Sequence, residues 1–171
     1  MPLHETLSFP RQLKPDSVIL VESASVDLVA PTVDIDMTQI SITDDQDDTL
    51  LHLSIRRRQG EIIFNSKIDG SWGAEEIIDL GNRFRLDEGA TILIHDQGEG
   101  YEVWIDWVHA IWFAKRVQGR TPKAIWYGLG DENGTSVLDD EIEVRTYPSM
   151  KALFLQKHAD EEEKTSWWAI A

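Results

Sequence analysis

The sequence predicts an all-β fold built as a sandwich of two antiparallel sheets. Three observations predict it. Short runs of β-type residues recur along most of the chain, turn signals separate them, and apolar and polar residues alternate within several runs. The runs cover residues 18–21, 26–29, 33–42, 50–56, 62–65, 91–95, 103–107, 110–113, 124–127 and 142–146. Between them stand Pro31, Asp44-Asp45, Gln59-Gly60, Asp69-Gly70, Gly98 and Gly100, Gly119, the glycines from Gly128 to Gly134, and Pro148. The runs on either side of Asp96-Gln97-Gly98-Glu99-Gly100 read as one hairpin. About five or six strands per sheet follow from this spacing.

Length and composition agree with a single folded unit. The chain has 171 residues, which suits one domain and is short for two. At this size roughly 70% of the unfolded chain's surface can be buried, so the core needs no covalent staple. No cysteine is present, which removes disulfides and thiolate metal sites and suits a cytoplasmic protein. The first residues hold no long apolar run, so the sequence predicts no signal peptide, and any release would need a route independent of one. Every apolar stretch is too short to span a bilayer, so no membrane insertion is expected. The sequon Asn133-Gly134-Thr135 reads as a turn. A net charge of −15 repels phosphate backbones and argues against nucleic acid as a partner.

Residues 1–150 form the expected domain, and residues 151–171 differ from it. From Lys151 to Lys164 the segment is rich in Lys, Glu, Ala, Leu and Gln, which favours either a C-terminal helix or a loosely ordered tail. Trp167-Trp168 would then dock on the sandwich, since exposed tandem indoles are costly.

The chemistry concentrates between His52 and Ile77. In residues 51–56, Leu51, Leu53 and Ile55 share one face, the core face, while His52, Ser54 and Arg56 share the other. Taken alone, a polar trio on a strand is an ordinary solvated face. The short Gln59-Gly60 connection makes residues 61–65 an antiparallel neighbour. There Ile62 and Phe64 point inward, and Glu61, Ile63 and Asn65 outward. A third strand adds Glu75 and Ile77. Trp72 follows Gly70-Ser71 at a strand entrance, where alternation leaves its direction open. Together these groups suit a sugar. An indole matches the apolar face of a pyranose, and imidazole, guanidinium, amide and carboxylate groups match adjacent hydroxyls that both donate and accept. Arg56 and Glu75 could also pair and hold each other in place.

The segment LLHLSIRRRQGEIIFNSKIDGSWGAEE resembles the galectin signature: a His-x-x-x-Arg strand, a hydrophobic-x-Asn strand, then Trp-Gly-x-Glu. Ser54, where animal galectins carry Asn, is similar to the mushroom fruiting-body galectins. The hairpin TILIHDQGEGYEVWIDWVHAIWFAKR resembles theirs as well, and the likeness runs over roughly residues 15–148. It implies a galectin-type jelly roll that binds β-galactoside-type, galactose-containing glycans without catalysis or cofactor. His52 and Arg56 would hold the galactose axial hydroxyl, Asn65 an outer hydroxyl, Trp72 the apolar face, and Glu75 would bridge Arg56 and the next sugar. A homodimer or homotetramer that crosslinks glycans is expected, with a defence role in a fungus. Ile77 departs from the pattern, because the family carries Arg there. This could weaken lactose-type ligands, shift the saccharide preference, or mark a protein-contact role anchored on Trp104 and Trp112. Arg57, Arg58, Arg83 and Arg85 are the candidates to compensate, and the sequence leaves their placement open.

Two rivals are weaker. Asp139, Glu141 and Glu143 share one strand face, as the carboxylates of a jelly-roll glycosidase would, yet an acidic edge strand is common in so acidic a chain. The histidines His4, His52, His95, His109 and His158 show no metal-ligand spacing.

Overall fold

The computed structural model describes residues 4–32, 38–85, 89–129, 136–139 and 141–170, with side chains as far as Ser166 in the last element. The seven-stranded sheet runs in the order β1 (His4–Ser8), β11 (Ala124–Leu129), β3 (Thr38–Thr43), β4 (Thr49–Arg56), β5 (Glu61–Ile68) and β6 (Ser71–Trp72), with β7 (Glu76–Asp79) also paired to β5. The five-stranded sheet runs β10 (Val108–Ala114), β9 (Gly100–Ile105), β8 (Ala90–Asp96), β2 (Val18–Ser23) and β12 (Ile142–Tyr147). All named pairings are antiparallel, and non-consecutive neighbours such as β1 and β11 give the jelly-roll crossovers.

The two sheets hold one apolar layer between them. Leu51, Leu53 and Ile55 of β4 and Ile62 and Phe64 of β5 are fully buried, as their alternation predicts. They meet Ile19, Val21, Ile92, Ile94, Val103, Ile105 and Phe113 of the five-stranded sheet in one continuous cluster. The hairpin expected around Gly98 is present, with Asp96 opposite Tyr101 and His95 opposite Glu102.

Two expectations change. The sheets hold seven and five strands rather than five or six each. The added strand, β1, reads HETLS and is mostly exposed, so it carries little apolar signal; it is held by its backbone register against β11. Residues 26–29 form no strand, and Val26 makes only an isolated bridge to Leu138. The strand expected over 33–42 is described from Thr38; its earlier part lies outside the described residues, as do the sequon at Asn133 and the side chains of Trp167 and Trp168.

Beyond β12 the chain turns at Pro148-Ser149 into α1 (Met150–Ile170). Ser149 caps it, its Oγ accepting the amide of Ala152 at 3.0 Å. The helix lies on the outer face of the five-stranded sheet. Leu153 is completely buried there against Val18, Leu20 and Leu93, with Trp104, Trp107, Tyr147 and Met150 around it. Lys157 places its ammonium 3.7 Å over the Trp107 ring.

Candidate functional site

The outer face of the seven-stranded sheet carries the predicted residues, and register decides how they meet. His52 lies opposite Ser41 on β3 and Asn65 on β5. One level along, Gln39, Ser54, Ile63 and Ile77 line up across β3, β4, β5 and β7. Arg56 stands at the next level, opposite Glu61. A groove of about 390 Å³ opens over these rows, lined by Gln39, His52, Arg56, Ile63, Asn65, Trp72, Gly73 and Glu75.

The direction of Trp72, left open by alternation, is set by the turn before it. Asp69 and Gly70 both take positive φ, 51° and 79°, the requirement of a two-residue type I′ hairpin. Asp48 holds this turn by accepting the Asp69 amide at 2.8 Å. The hairpin pairs Ile68 with Ser71 and Lys67 with Trp72, which puts the indole on the face shared by Asn65 and Lys67. Trp72 is 51% exposed, and its ring meets that of His52 edge-on at 4.9 Å between centroids. An indole half open to water beside polar groups is not a piece of core.

Each polar group is held by another. His52 Nδ1 lies 2.7 Å from Ser41 Oγ, which leaves Nε2 for other partners. Burial, then the positive charge of Arg56, lowers the pKa of His52 to about 4 against an opposing pull from Glu75, so the ring is neutral at pH 7. Arg56 Nη2 donates to Glu75 Oε1 at 3.4 Å across the groove wall. Asn65 donates from Nδ2 to the Gly73 carbonyl at 3.0 Å. Ser54 and Asn65 lie on the predicted face but are only 2% and 5% exposed, so they form floor and wall rather than open surface. Glu75 stands just before β7, in the segment that follows Trp72, and not within a strand alongside Ile77. Ile77 is 52% exposed beside the buried Ile63.

Arg116 is the residue that sequence reasoning missed. It follows β10 on the other sheet and reaches across to donate from Nη1 to Asn65 Oδ1 at 2.6 Å and from Nη2 to the Ala74 carbonyl and to Glu76 Oε2 at 3.3 Å. Among the arginines weighed as substitutes at Ile77, Arg57 turns to the Asp27 and Ser136 carbonyls and Arg83 to that of Asp79. The acidic set of the rival reading lies away from the groove, around β12 of the five-stranded sheet. Asp139 accepts from Ser25, and Glu143 accepts from Arg145 of its own strand. Asp140 lies outside the described residues. Trp104 sits half-buried beside the helix contact, and Trp112 lies partly exposed across Gly100 of β9.

Comparison with known proteins gives the same picture. A family model described as "Galactoside-binding lectin" matches residues 4–127. "Galectin-2" of Coprinopsis cinerea is 27% identical over 117 residues, covering 68% of this chain and 74% of that protein. The "Anti-tumor lectin" of Cyclocybe aegerita is 28% identical over 136 residues, covering 78% and 84%. Among solved structures, a variant of human galectin-16 superposes with a TM-score of 0.65 at 17% identity, covering 85% of this chain and 95% of that one. A Caenorhabditis elegans galectin gives 0.60 at 16% identity, covering 85% and 87%. The family match thus takes in β1 through most of β11, every residue of the groove included, and the chain belongs to the galactoside-binding lectins, the galectin family.

Proposed function

We propose that this chain is a lectin that binds β-galactoside-type glycans in the groove between His52 and Glu75, and that it performs no catalysis. One observation carries the reading: the exposed Trp72 ring stands edge to face with a neutral His52, beside Asn65 and an Arg56–Glu75 pair. A pyranose can lay its C–H face on the indole while its hydroxyls meet an imidazole, an amide, a guanidinium and a carboxylate already held in place. Residues 1–150 act as the recognition domain. Single contacts in such open grooves give dissociation constants of roughly mM to μM, about −4 to −8 kcal/mol. Useful avidity then comes from several grooves in one particle, so the working form is a homodimer or homotetramer that crosslinks glycans. A cytoplasmic defence lectin of a fungus fits this reading.

Calorimetric titration of the pure chain with lactose, against maltose as control, tests it. Saturable binding of lactose alone is the expected result. No heat with lactose at millimolar concentration, together with no hits on a glycan array, would reject it. Release of free sugar from labelled oligosaccharides would favour the hydrolase instead. Light scattering on the eluted protein reads the oligomer.

A second reading rests on Ile77. An exposed aliphatic side chain stands beside Glu75 where the family carries a cation. A charge-assisted hydrogen bond contributes about 1.5–3 kcal/mol, so the ranking of galactosides can differ from that of relatives. A galectin fold repurposed for protein contacts would show no array hits at all.

A further inference from the structure

The groove is held from behind by a side chain that belongs to the opposite sheet. Arg116 leaves the end of β10 with its guanidinium 4.8 Å over the ring of the buried Phe113. From there its planar fork meets the groove wall at separate points of the chain. Nη1 donates to Asn65 Oδ1 at 2.6 Å and lies 3.4 Å from Ser66 Oγ. Nη2 donates to the Ala74 carbonyl and to Glu76 Oε2. Thus one cation ties β5, which carries Asn65, to the segment between Trp72 and Glu75.

The consequence for Asn65 is chemical. Its Oδ1 also accepts the amide of Ser66 at 2.8 Å. Both partners of that oxygen can only donate, so turning the amide over would set its NH₂ group against two donors. The orientation is locked. Of the two Nδ2 hydrogens, one goes to the Gly73 carbonyl at 3.0 Å. What remains for a ligand is one N–H donor, and no acceptor.

Resting on the lectin reading above, we propose that Arg116 is a positioning residue of the glycan groove. It fixes Asn65 as a donor and clamps the Gly73–Ala74 backbone between Trp72 and Glu75, without touching the ligand. The clamp supplies through the backbone some of the rigidity that a second cation at Ile77 would have given Glu75. It also sets specificity. The ligand group at Asn65 must be an oxygen that accepts, such as a neutral hydroxyl, and a sugar bearing an ammonium group there is rejected.

Two variants reach the clamp independently. Arg116→Met keeps the stem over Phe113 and removes the fork. Gly73→Ala keeps Arg116 and displaces it, because a Cβ at Gly73 would fall on Nη1 and press, at 3.3 Å, on the Asn65 Oδ1 that the fork holds; Gly73 is not in the positive-φ region, so alanine suits its backbone. A set of monodeoxy lactoses first identifies the hydroxyl whose loss is silent in Asn65→Ala. Wild type should bind lactose better than that analogue. Arg116→Met and Gly73→Ala should each bind lactose about tenfold more weakly, should melt close to wild type, and should no longer distinguish lactose from the analogue. The double variant should lose no more than either single one. The inference is overturned if Arg116→Met binds lactose as wild type does, if it still discriminates the analogue, or if the two losses multiply. Should Arg116→Met fail to fold, Gly73→Ala decides by the same criteria. A wild-type chain that binds no lactose fails earlier and differently: it removes the lectin reading, and this inference with it.

Discussion

The two outer faces of the sandwich meet different fates. On the five-stranded sheet the outer residues Val18, Leu20 and Leu93 are apolar, and α1 is laid over them with Leu153 as its plug. On the seven-stranded sheet the outer residues are His52, Ser54, Arg56 and Asn65. His52 and Arg56 open into the groove while Ser54 and Asn65 form its floor and wall, and His52, Arg56 and Asn65 are each hydrogen-bonded to a neighbouring side chain. The difference lies in the strands themselves. β2 reads VILVES, apolar on both faces, whereas β4 alternates through HLSIR. A strand that is apolar on both sides needs two covers, and a strand that alternates needs one. The second cover of β2 is the helix, and the free face of β4 is where a ligand can settle.

That contrast can be broken from either side. Trp72→Ala should have the largest effect on binding, abolishing measurable affinity for lactose while the melting temperature stays near wild type. A large loss of thermal stability instead would make Trp72 a packing residue. Leu153→Ala should do the reverse. Emptying a fully buried leucine site costs about 2–5 kcal/mol of stability, read by urea denaturation, with lactose affinity unchanged.

Acid should separate the faces as well. The folded pKa of His52, about 4, lies below the ordinary value of 6.5. Between these values the unfolded chain binds the proton and the folded chain does not, so stability falls as pH drops through that window. His52→Gln should flatten the melting temperature between pH 6.5 and pH 4, and wild-type glycan affinity should hold at pH 6 and drop near pH 4. Ile77→Arg should strengthen β-galactoside binding severalfold by giving Glu75 a second cation, as read by titration. An unchanged affinity would mean that Glu75 is already held well enough. The smallest effect is expected from Lys157→Ala, about 0.5–2 kcal/mol of stability from the cation over Trp107, with the groove untouched.

Much of this was legible in the sequence, for identifiable reasons. The alternation in β4 and β5 is strong enough to sort core from groove, and it placed His52, Arg56 and Asn65 on one face. The Asp69-Gly70 pair also held the direction of Trp72, although it had to be read as a two-residue hairpin rather than a longer turn. What stayed hidden was non-local. β1 is an exposed edge whose residues carry no pattern of their own. Arg116 meets Asn65 across 51 positions of chain, and no periodicity links residues on different sheets. The burial of Ser54 and Asn65 likewise depends on the rows beside them, which only the register supplies.

The helix on the second face also fixes a polarity for the whole molecule. As far as Lys164 the helix lines one cavity with Glu22 of β2 and Arg145 of β12, so it keeps to that side of the sandwich, and the groove opens on the other. Anything joined beyond Ile170 therefore starts from the rear of the domain. A chain tethered to a bead or a fusion partner by that end would present its groove toward solution, where a cell surface or a glycan polymer can reach it.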